Sequence, residues 1–235
     1  MEKLTEDIYL LETLRGANAY LLTSPDELVL IDCGIRSDFV RIQAQLEQTG
    51  YALSQLSLIV LTHGHGDHAG SAAQLQETTP AEFAAHPEEI PYLRKEASLP
   101  FRSLLKKALF GLADQVLLPR PALDRIQPVQ EGDRIQPAGG LEVIHTPGHT
   151  PGSISLFQPE RRILFCGDAL FLAHPLSGKS GLRLPPNLVT ADPDRAYRSA
   201  EKIVGLEPEM LCPGHGRPLT SGAAGRLRRL LEGSA

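Results

Sequence analysis

The stretch Leu58-Ile59-Val60-Leu61-Thr62-His63-Gly64-His65-Gly66-Asp67-His68-Ala69-Gly70-Ser71 decides how the rest of the chain is read. Its opening residues are continuously apolar, the pattern of a strand covered on both faces. That strand runs directly into three histidines and an aspartate spaced by glycines. Imidazole nitrogens and carboxylate oxygens are typical zinc donors, and a catalytic zinc keeps one position open for water. Residues two apart on an extended segment face the same way, so His63 and His65 can share one metal. Asp67 and His68 come where a helix begins and the chain turns. Their side chains should diverge from that pair, towards a second metal beside the first. Four ligands cannot close two sites, so further donors must come from elsewhere.

Three downstream stretches can supply them. Thr146-Pro147-Gly148-His149-Thr150-Pro151-Gly152-Ser153 holds a histidine in a tight loop between two strands. Gly167-Asp168-Ala169 puts a carboxylate straight after a buried strand, and Cys212-Pro213-Gly214-His215-Gly216 again follows a strand with a histidine among glycines. Alone, His149 and His215 would be ordinary loop histidines and Asp168 a turn or helix cap. Beside the first motif they are metal ligands, all placed in loops that a rigid sheet can hold for function.

Working outward, Ile8–Leu11 and Ala19–Leu22 are short strands joined by turn chemistry at Arg15–Asn18, a hairpin. Leu28–Gly34 is a strand ending on Asp32, which by itself reads as a turn residue. Asp38–Gln48 has helical spacing, Leu56–Leu61 is the strand of the motif, and Ala69–Thr79 is a helix stopped by Pro80. Residues 86–125 break the rhythm with helical patterns, including a basic amphipathic helix at 101–110 that packs on its own domain. Strands return at 126–129, 133–135, 141–144, 153–157 and 162–166. Ala173–Asn187 reads as a long loop, Asp192-Pro193 opens a helix, Met210–Cys212 is a last strand and Leu219–Leu231 a closing helix. No linker and no repeat is visible. The expectation is a single domain over 1–235, of α/β (α+β) class, with two sheets packed face to face, helices outside and a lid-like insertion at about 86–125.

Composition narrows the function. The 235 residues carry a net charge of -5 and offer no broad basic surface, so no nucleic-acid partner is expected. No window approaches the ~18 apolar residues of a membrane span, and no membrane association is expected. The acidic start lacks the pattern of a signal peptide, and Cys33, Cys166 and Cys212 are odd in number and far apart. A reducing cytoplasm is the expected compartment. The cysteines read as small core residues.

Taken together, Asp32, His63-x-His65-x-Asp67-His68, His149, Asp168 and His215 closely resemble the metallo-β-lactamase superfamily, whose motifs they match in order along nearly the whole chain. The resemblance implies a four-layer αβ/βα sandwich with the site at one edge of the two sheets. It implies that His63, His65 and His149 hold one metal, that Asp67, His68 and His215 hold the other, and that Asp168 bridges both. Asp32 would accept a hydrogen bond from a ligand histidine and fix its tautomer. Two Zn2+ ions are expected, with iron or manganese as alternatives. The full set with Asp168, and the Thr146–Thr150 sequence, resemble the glyoxalase II and lactonase branches, whereas the zinc β-lactamases lack the bridging aspartate and are usually exported. The short stretch after His215 does not supply glyoxalase II's helical glutathione-binding region, so the 86–125 insertion is expected to shape the pocket.

The implied chemistry is hydrolysis of a small thioester, lactone or related ester by a metal-bridging hydroxide. Asp67 and Asp168 are the catalytic carboxylates, Asp67 also accepting a proton as the intermediate collapses. His174, Lys179 and Arg183 are candidate substrate contacts. His145 should point away from the metals, and His86 belongs to the surface or lid. Three other readings stay open: a mononuclear-iron enzyme like the persulfide dioxygenases, a phosphodiesterase, and a metal-binding or ligand-sensing domain without turnover. The expected partner is a small-molecule substrate, and the apolar helix at 101–110 could serve a homodimer.

Overall fold

In the computed structural model, residues 1–12, 14–25, 27–98, 119–174 and 178–233 are described. Glu2–Lys3 (β1), Ile8–Leu10 (β2), Tyr20–Thr23 (β3) and Leu28–Ile31 (β4) pair antiparallel. Helix α1 (Phe39–Gln48) leads to β5 (Leu56–Val60), which pairs parallel to β4. The short helices α2 (Gly66–Ala69) and α3 (Ala72–Thr78) then return the chain to β6 (Glu82–Ala85), parallel to β5. After α4 (Ile90–Leu93), β7 (Gln127–Pro128) completes a seven-stranded sheet in sequential order.

A second, five-stranded sheet follows the order β14-β11-β10-β9-β8. It is built from β8 (Arg134–Ile135), β9 (Leu141–His145), β10 (Ile154–Gln158), β11 (Ile163–Gly167) and β14 (Met210–Pro213). Between β11 and β14 lie a two-stranded hairpin, β12 (Phe171–Ala173) with β13 (Ser180–Arg183), and helix α5 (Pro193–Gly205). Helix α6 (Ala223–Glu232) closes the described chain.

Strand alternation sorts the side chains into layers. On β4, Leu28 and Leu30 face the helices with Ile42 and Leu46 of α1, while Val29 and Ile31 face the second sheet. On β11, Ile163 and Phe165 face the first sheet, while Leu164 and Cys166 face Ala200 and Ile203 of α5. The result is helix, sheet, sheet, helix, the four-layer sandwich expected. The middle layer joins Tyr20 to Phe165 edge to face, ring centroids 5.3 Å apart. Each fully buried aliphatic or aromatic side chain in these layers contributes roughly 1.5–3 kcal/mol.

Several elements depart from expectation. Glu82–Ala85 has no strand signature, being short and alanine-rich, but becomes β6 because β5 and β7 pair with both its edges. The helix expected over 69–79 is interrupted at Gly70–Ser71. Within the expected loop 173–187, Ser180–Arg183 pairs with Phe171–Ala173 as a hairpin. Leu219 does not start the last helix; it pairs with Leu211, and the helix begins after Gly222 in the left-handed region. The helix expected at 101–110 lies outside the described residues. The described ends of the 86–125 segment are joined: Leu123 N–H donates to Leu93 O, and Arg120 Nη1 to the carbonyls of Tyr92 and Ala97.

The C-terminal ends of β4, β5, β11 and β14 meet at one edge of the sandwich, with the β9–β10 loop beside them. The loop between β2 and β3 is held there by Asp38. Its fully buried carboxylate accepts from the backbone N–H groups of Arg15, Gly16 and Ile35 at 2.9–3.0 Å. Ala17 N–H then reaches Asp67 O at 2.9 Å. Replacing Asp38 by alanine leaves these donors without a partner and should lower unfolding free energy by about 3 kcal/mol. Urea unfolding measures this, and a loss within about 0.5 kcal/mol would show that Asp38 does not brace the loop.

Candidate metal centre

The motif is shaped by Asp32, which sits just past β4 with φ +56°, a conformation aspartate tolerates better than most residues. Its Oδ1 accepts Thr62 N–H at 2.8 Å, and its Oδ2 accepts the Thr62 hydroxyl at 2.8 Å and faces His68 Nδ1 at 2.7 Å. A proton on His68 Nδ1 is thereby held on Asp32, and Nε2 is aimed the other way, at Asp168 Oδ1, 3.2 Å distant. His68 is on α2, whose first turn is closed by the N–H groups of His68 and Ala69 donating to His65 O.

Two ligand groups assemble around this axis. In the first, His65 Nδ1 lies 3.1 Å from His63 Nε2 and 2.9 Å from His149 Nε2. In the second, Asp67, His68 and His215 converge, with His215 Nε2 at 3.3 Å from Asp67 Oδ2. Asp168 lies between the groups: Oδ2 is 3.2 Å from His149 Nε2 and 3.5 Å from His215 Nε2. Donors about 2.0–2.2 Å from a common ion at near-tetrahedral or octahedral angles stand about 3.0–3.5 Å apart, the spacing seen here. His68 Nε2 and Asp168 Oδ1 are buried and lack a well-directed hydrogen-bond partner. The donor set and these two atoms fit a metal centre.

The other ligand loops are positioned by the second sheet and α5. Ala191 N–H donates to His149 O, Asp192 N–H to Gly148 O and Ser199 Oγ to Pro147 O. The His215 loop is tied across to the first sheet: Tyr20 Oη donates to Pro213 O at 2.7 Å, and Asn18 Nδ2 to Pro213 O and Gly216 O. Gly214 must be glycine, because a Cβ there would stand 2.4 Å from Asp168 Oδ1 and 2.5 Å from His68 Cε1.

Asn18, Tyr20 and Asp38 support the site without a local sequence signal, since their partners lie far along the chain. The candidate substrate residues are on or beside the β12–β13 hairpin. Lys179 is exposed, His174 N–H donates to Lys179 O, and Arg183 donates to Gly181 O and Lys179 O of its own hairpin. His145 bonds Pro151 O through Nε2 and stacks on the buried His86, centroids 4.1 Å apart and planes 11° apart. Near-parallel stacked rings keep their in-plane lone pairs from converging, so this pair and Glu88 do not form a ready chelate. All three cysteines are free and buried, and burial raises their thiol pKa values.

The two groups differ in charge. Burial, helped by neighbouring imidazoles, holds His63 well below the ordinary histidine range, and burial lowers His149 to about 3 against the pull of Asp168. In the second group burial works against charge on His68 and His215, but Asp168 and the nearby carboxylates outweigh it, raising His215 to about 9. Asp67 and Asp168 are lowered in turn, their imidazole partners overcoming burial. Metal-free, the first group is neutral and the second is a set of imidazolium–carboxylate pairs. A histidine raised from 6.5 to about 9 contributes stability fully below pH 6.5 and loses it as pH rises to 9. His149, lowered to about 3, acts in the window from pH 3 to 6.5 with stability rising with pH. Metal-free protein should therefore lose thermal stability between about pH 6.5 and 9, with metal loading flattening the decline because bound ligands stay deprotonated. Melting curves across that range test it; a metal-free midpoint that rises with pH would contradict it.

The model of the metallo-beta-lactamase superfamily matches residues 13–215. A probable metallo-hydrolase of Bacillus subtilis (strain 168), YflN, is 36% identical over 221 residues, 88% of this chain and 83% of that protein. The hydroxyacylglutathione hydrolase GloC of Haemophilus influenzae is 36% identical over 122 residues, 49% of this chain and 50% of that one. Among solved structures, the metallo-beta-lactamase family protein TTHA1429 of Thermus thermophilus superposes with a TM-score of 0.71 at 24% identity, covering 99% of this chain and 80% of that one. TTHA1623 in a di-iron-bound form gives a TM-score of 0.67 at 30% identity, covering 94% and 96%. Family model, a relative matched over most of both chains and the likeness of fold agree: the chain belongs to the metallo-β-lactamase superfamily and is a metallo-hydrolase within it.

Proposed function

We propose that the chain is a dinuclear hydrolase of a small thioester, lactone or related ester. His63, His65 and His149 would hold one ion, Asp67, His68 and His215 the other, with Asp168 placed between them. The observation that carries this reading is the position of Asp168, with a carboxylate oxygen 3.2 Å from His149 Nε2 of one group and 3.5 Å from His215 Nε2 of the other. Two bound ions would supply a water that ionises near neutral pH and a Lewis acid for the carbonyl oxygen.

The chain's own residues do the rest. Asp32 holds the Nδ1 proton of His68, so that Nε2 is the donor atom. Asp67 keeps 23% of its side chain open to solvent, against 3% for Asp168. That exposure would let Asp67, whose lowered pKa makes any proton it takes short-lived, hand that proton on to water, while the buried Asp168 would serve as a fixed bridge. Phe171 packs beside His215 and His149, ring centroids 5.0 and 6.1 Å away, and gives the centre an apolar wall. The partial match to a hydroxyacylglutathione hydrolase supports a thioester. Zinc suits the nitrogen and oxygen donors; the di-iron form of TTHA1623 makes iron the alternative metal.

The test is a panel of thioesters, lactones, β-lactams and phosphodiesters, with metal content measured in parallel. Wild type should turn over a thioester or lactone, and Asp168→Ala should lose at least on the order of 10²-fold in kcat/KM together with metal content. Equal activity of the two proteins on every substrate, or turnover confined to phosphodiesters, would overturn the reading.

A further inference from the structure

Glu89 is the residue just before α4, and its carboxylate is completely buried. Such a group is costly inside a protein unless its oxygens are met by donors. Here they are met from two directions. Oε2 accepts Gly64 N–H at 2.8 Å, and Oε1 accepts Gly152 N–H at 2.8 Å. The Thr150 hydroxyl, bonded to Ser153 Oγ at 2.7 Å, lies close enough to the same carboxylate to favour its charged form.

Gly64 lies between His63 and His65, and Gly152 lies in the loop of His149. Those loops extend from different sheets, β5 in one and β9–β10 in the other. Their direct tie among the described backbone bonds is Ile154 N–H to Thr62 O at 3.0 Å. Glu89 adds a second backbone link between them, one oxygen to each loop. The fit is close: a Cβ on Gly152 would stand 2.9 Å from Glu89 Cγ, and one on Gly64 3.1 Å from Oε2. Glu89 is itself fixed, since its N–H donates to His86 O and its carbonyl accepts from Tyr92 and Leu93 N–H, with Leu93 in the helix-side core.

We infer that Glu89 is a positioning residue that sets the spacing of His63 and His65 against His149 by bonding the Gly64 and Gly152 amides with its two oxygens. It would thereby make the first metal's affinity depend on the start of the 86–125 segment. A carboxylate is required because both partners are N–H donors; a glutamine would turn its own N–H2 towards one of them. The inference rests on the reading that these three histidines bind metal.

The experiment loads the full chain with Co2+, following the visible absorption of the bound ion, and measures the two affinities by chelator competition. Urea unfolding of the metal-free proteins runs alongside. Wild type should take up two ions. Glu89→Gln should weaken the first-bound or second-bound ion, whichever the His63, His65 and His149 group holds, by about 10–100-fold and alter its absorption, leaving the other ion within about twofold. The ion concerned is identified with His149→Ala, which should abolish the same binding step. Gly152→Ala, which pushes on Glu89 without touching a ligand, should weaken that step too and serves if Glu89→Gln does not fold. If both variants lose stability while both affinities and the absorption stay at wild-type values, Glu89 is a structural brace and the inference is wrong. If wild type takes up no metal, the metal reading fails and the inference falls with it.

Discussion

The contact on which the centre depends is the buried line Asp32–His68–Asp168. Asp32 follows a strand of the first sheet, His68 lies on the short helix formed by the second half of the motif, and Asp168 follows a strand of the second sheet. The imidazole is held by Asp32 Oδ2 at 2.7 Å on one side and faces Asp168 Oδ1 at 3.2 Å on the other. One histidine therefore has its tautomer fixed by one sheet and its donor atom presented to the other. Loss of the line would separate the two halves of the ligand set as well as misalign one ligand.

A wider constraint follows from where the ligands sit. Strand ends are positions where the ladder stops and backbone N–H groups lose their partners. This chain meets many of those groups with buried carboxylates that are not themselves among the seven proposed ligands. Asp32 takes Thr62, Asp38 takes Arg15, Gly16 and Ile35, and Glu89 takes Gly64 and Gly152. Asp32 extends the β4–β5 pairing past its last rung, while Asp38 and Glu89 join segments that no strand ladder connects. The loops are held from behind, which leaves the imidazole and aspartate atoms to face each other across the spacing that an ion requires.

Much of this is legible in the sequence, and the rest is hidden for physical reasons. The continuous apolar runs Leu28–Ile31 and Ile163–Cys166 mark strands covered on both faces, and strand geometry then sorts their side chains between the layers. The seven histidines and aspartates stand out because each follows a strand among glycines, and the structure gathers them. Glu82–Ala85 is illegible because its strand conformation is imposed by neighbours on both edges. Ser180–Arg183 reads as loop because Gly181 and the surrounding prolines and glycines mask a pairing set by β12. Glu89 and Asp38 give no signal because a carboxylate's burial and its backbone partners, 25 and 63 residues away in the case of Glu89, are consequences of the fold.

The central claim is that Asp168 makes two metal positions into one centre. Anomalous diffraction from crystals grown with zinc tests it most directly. Two peaks per chain are predicted, one among His63, His65 and His149, the other among Asp67, His68 and His215, each in contact with Asp168. A single peak, or a pair in which Asp168 contacts neither ion or only one, would contradict it.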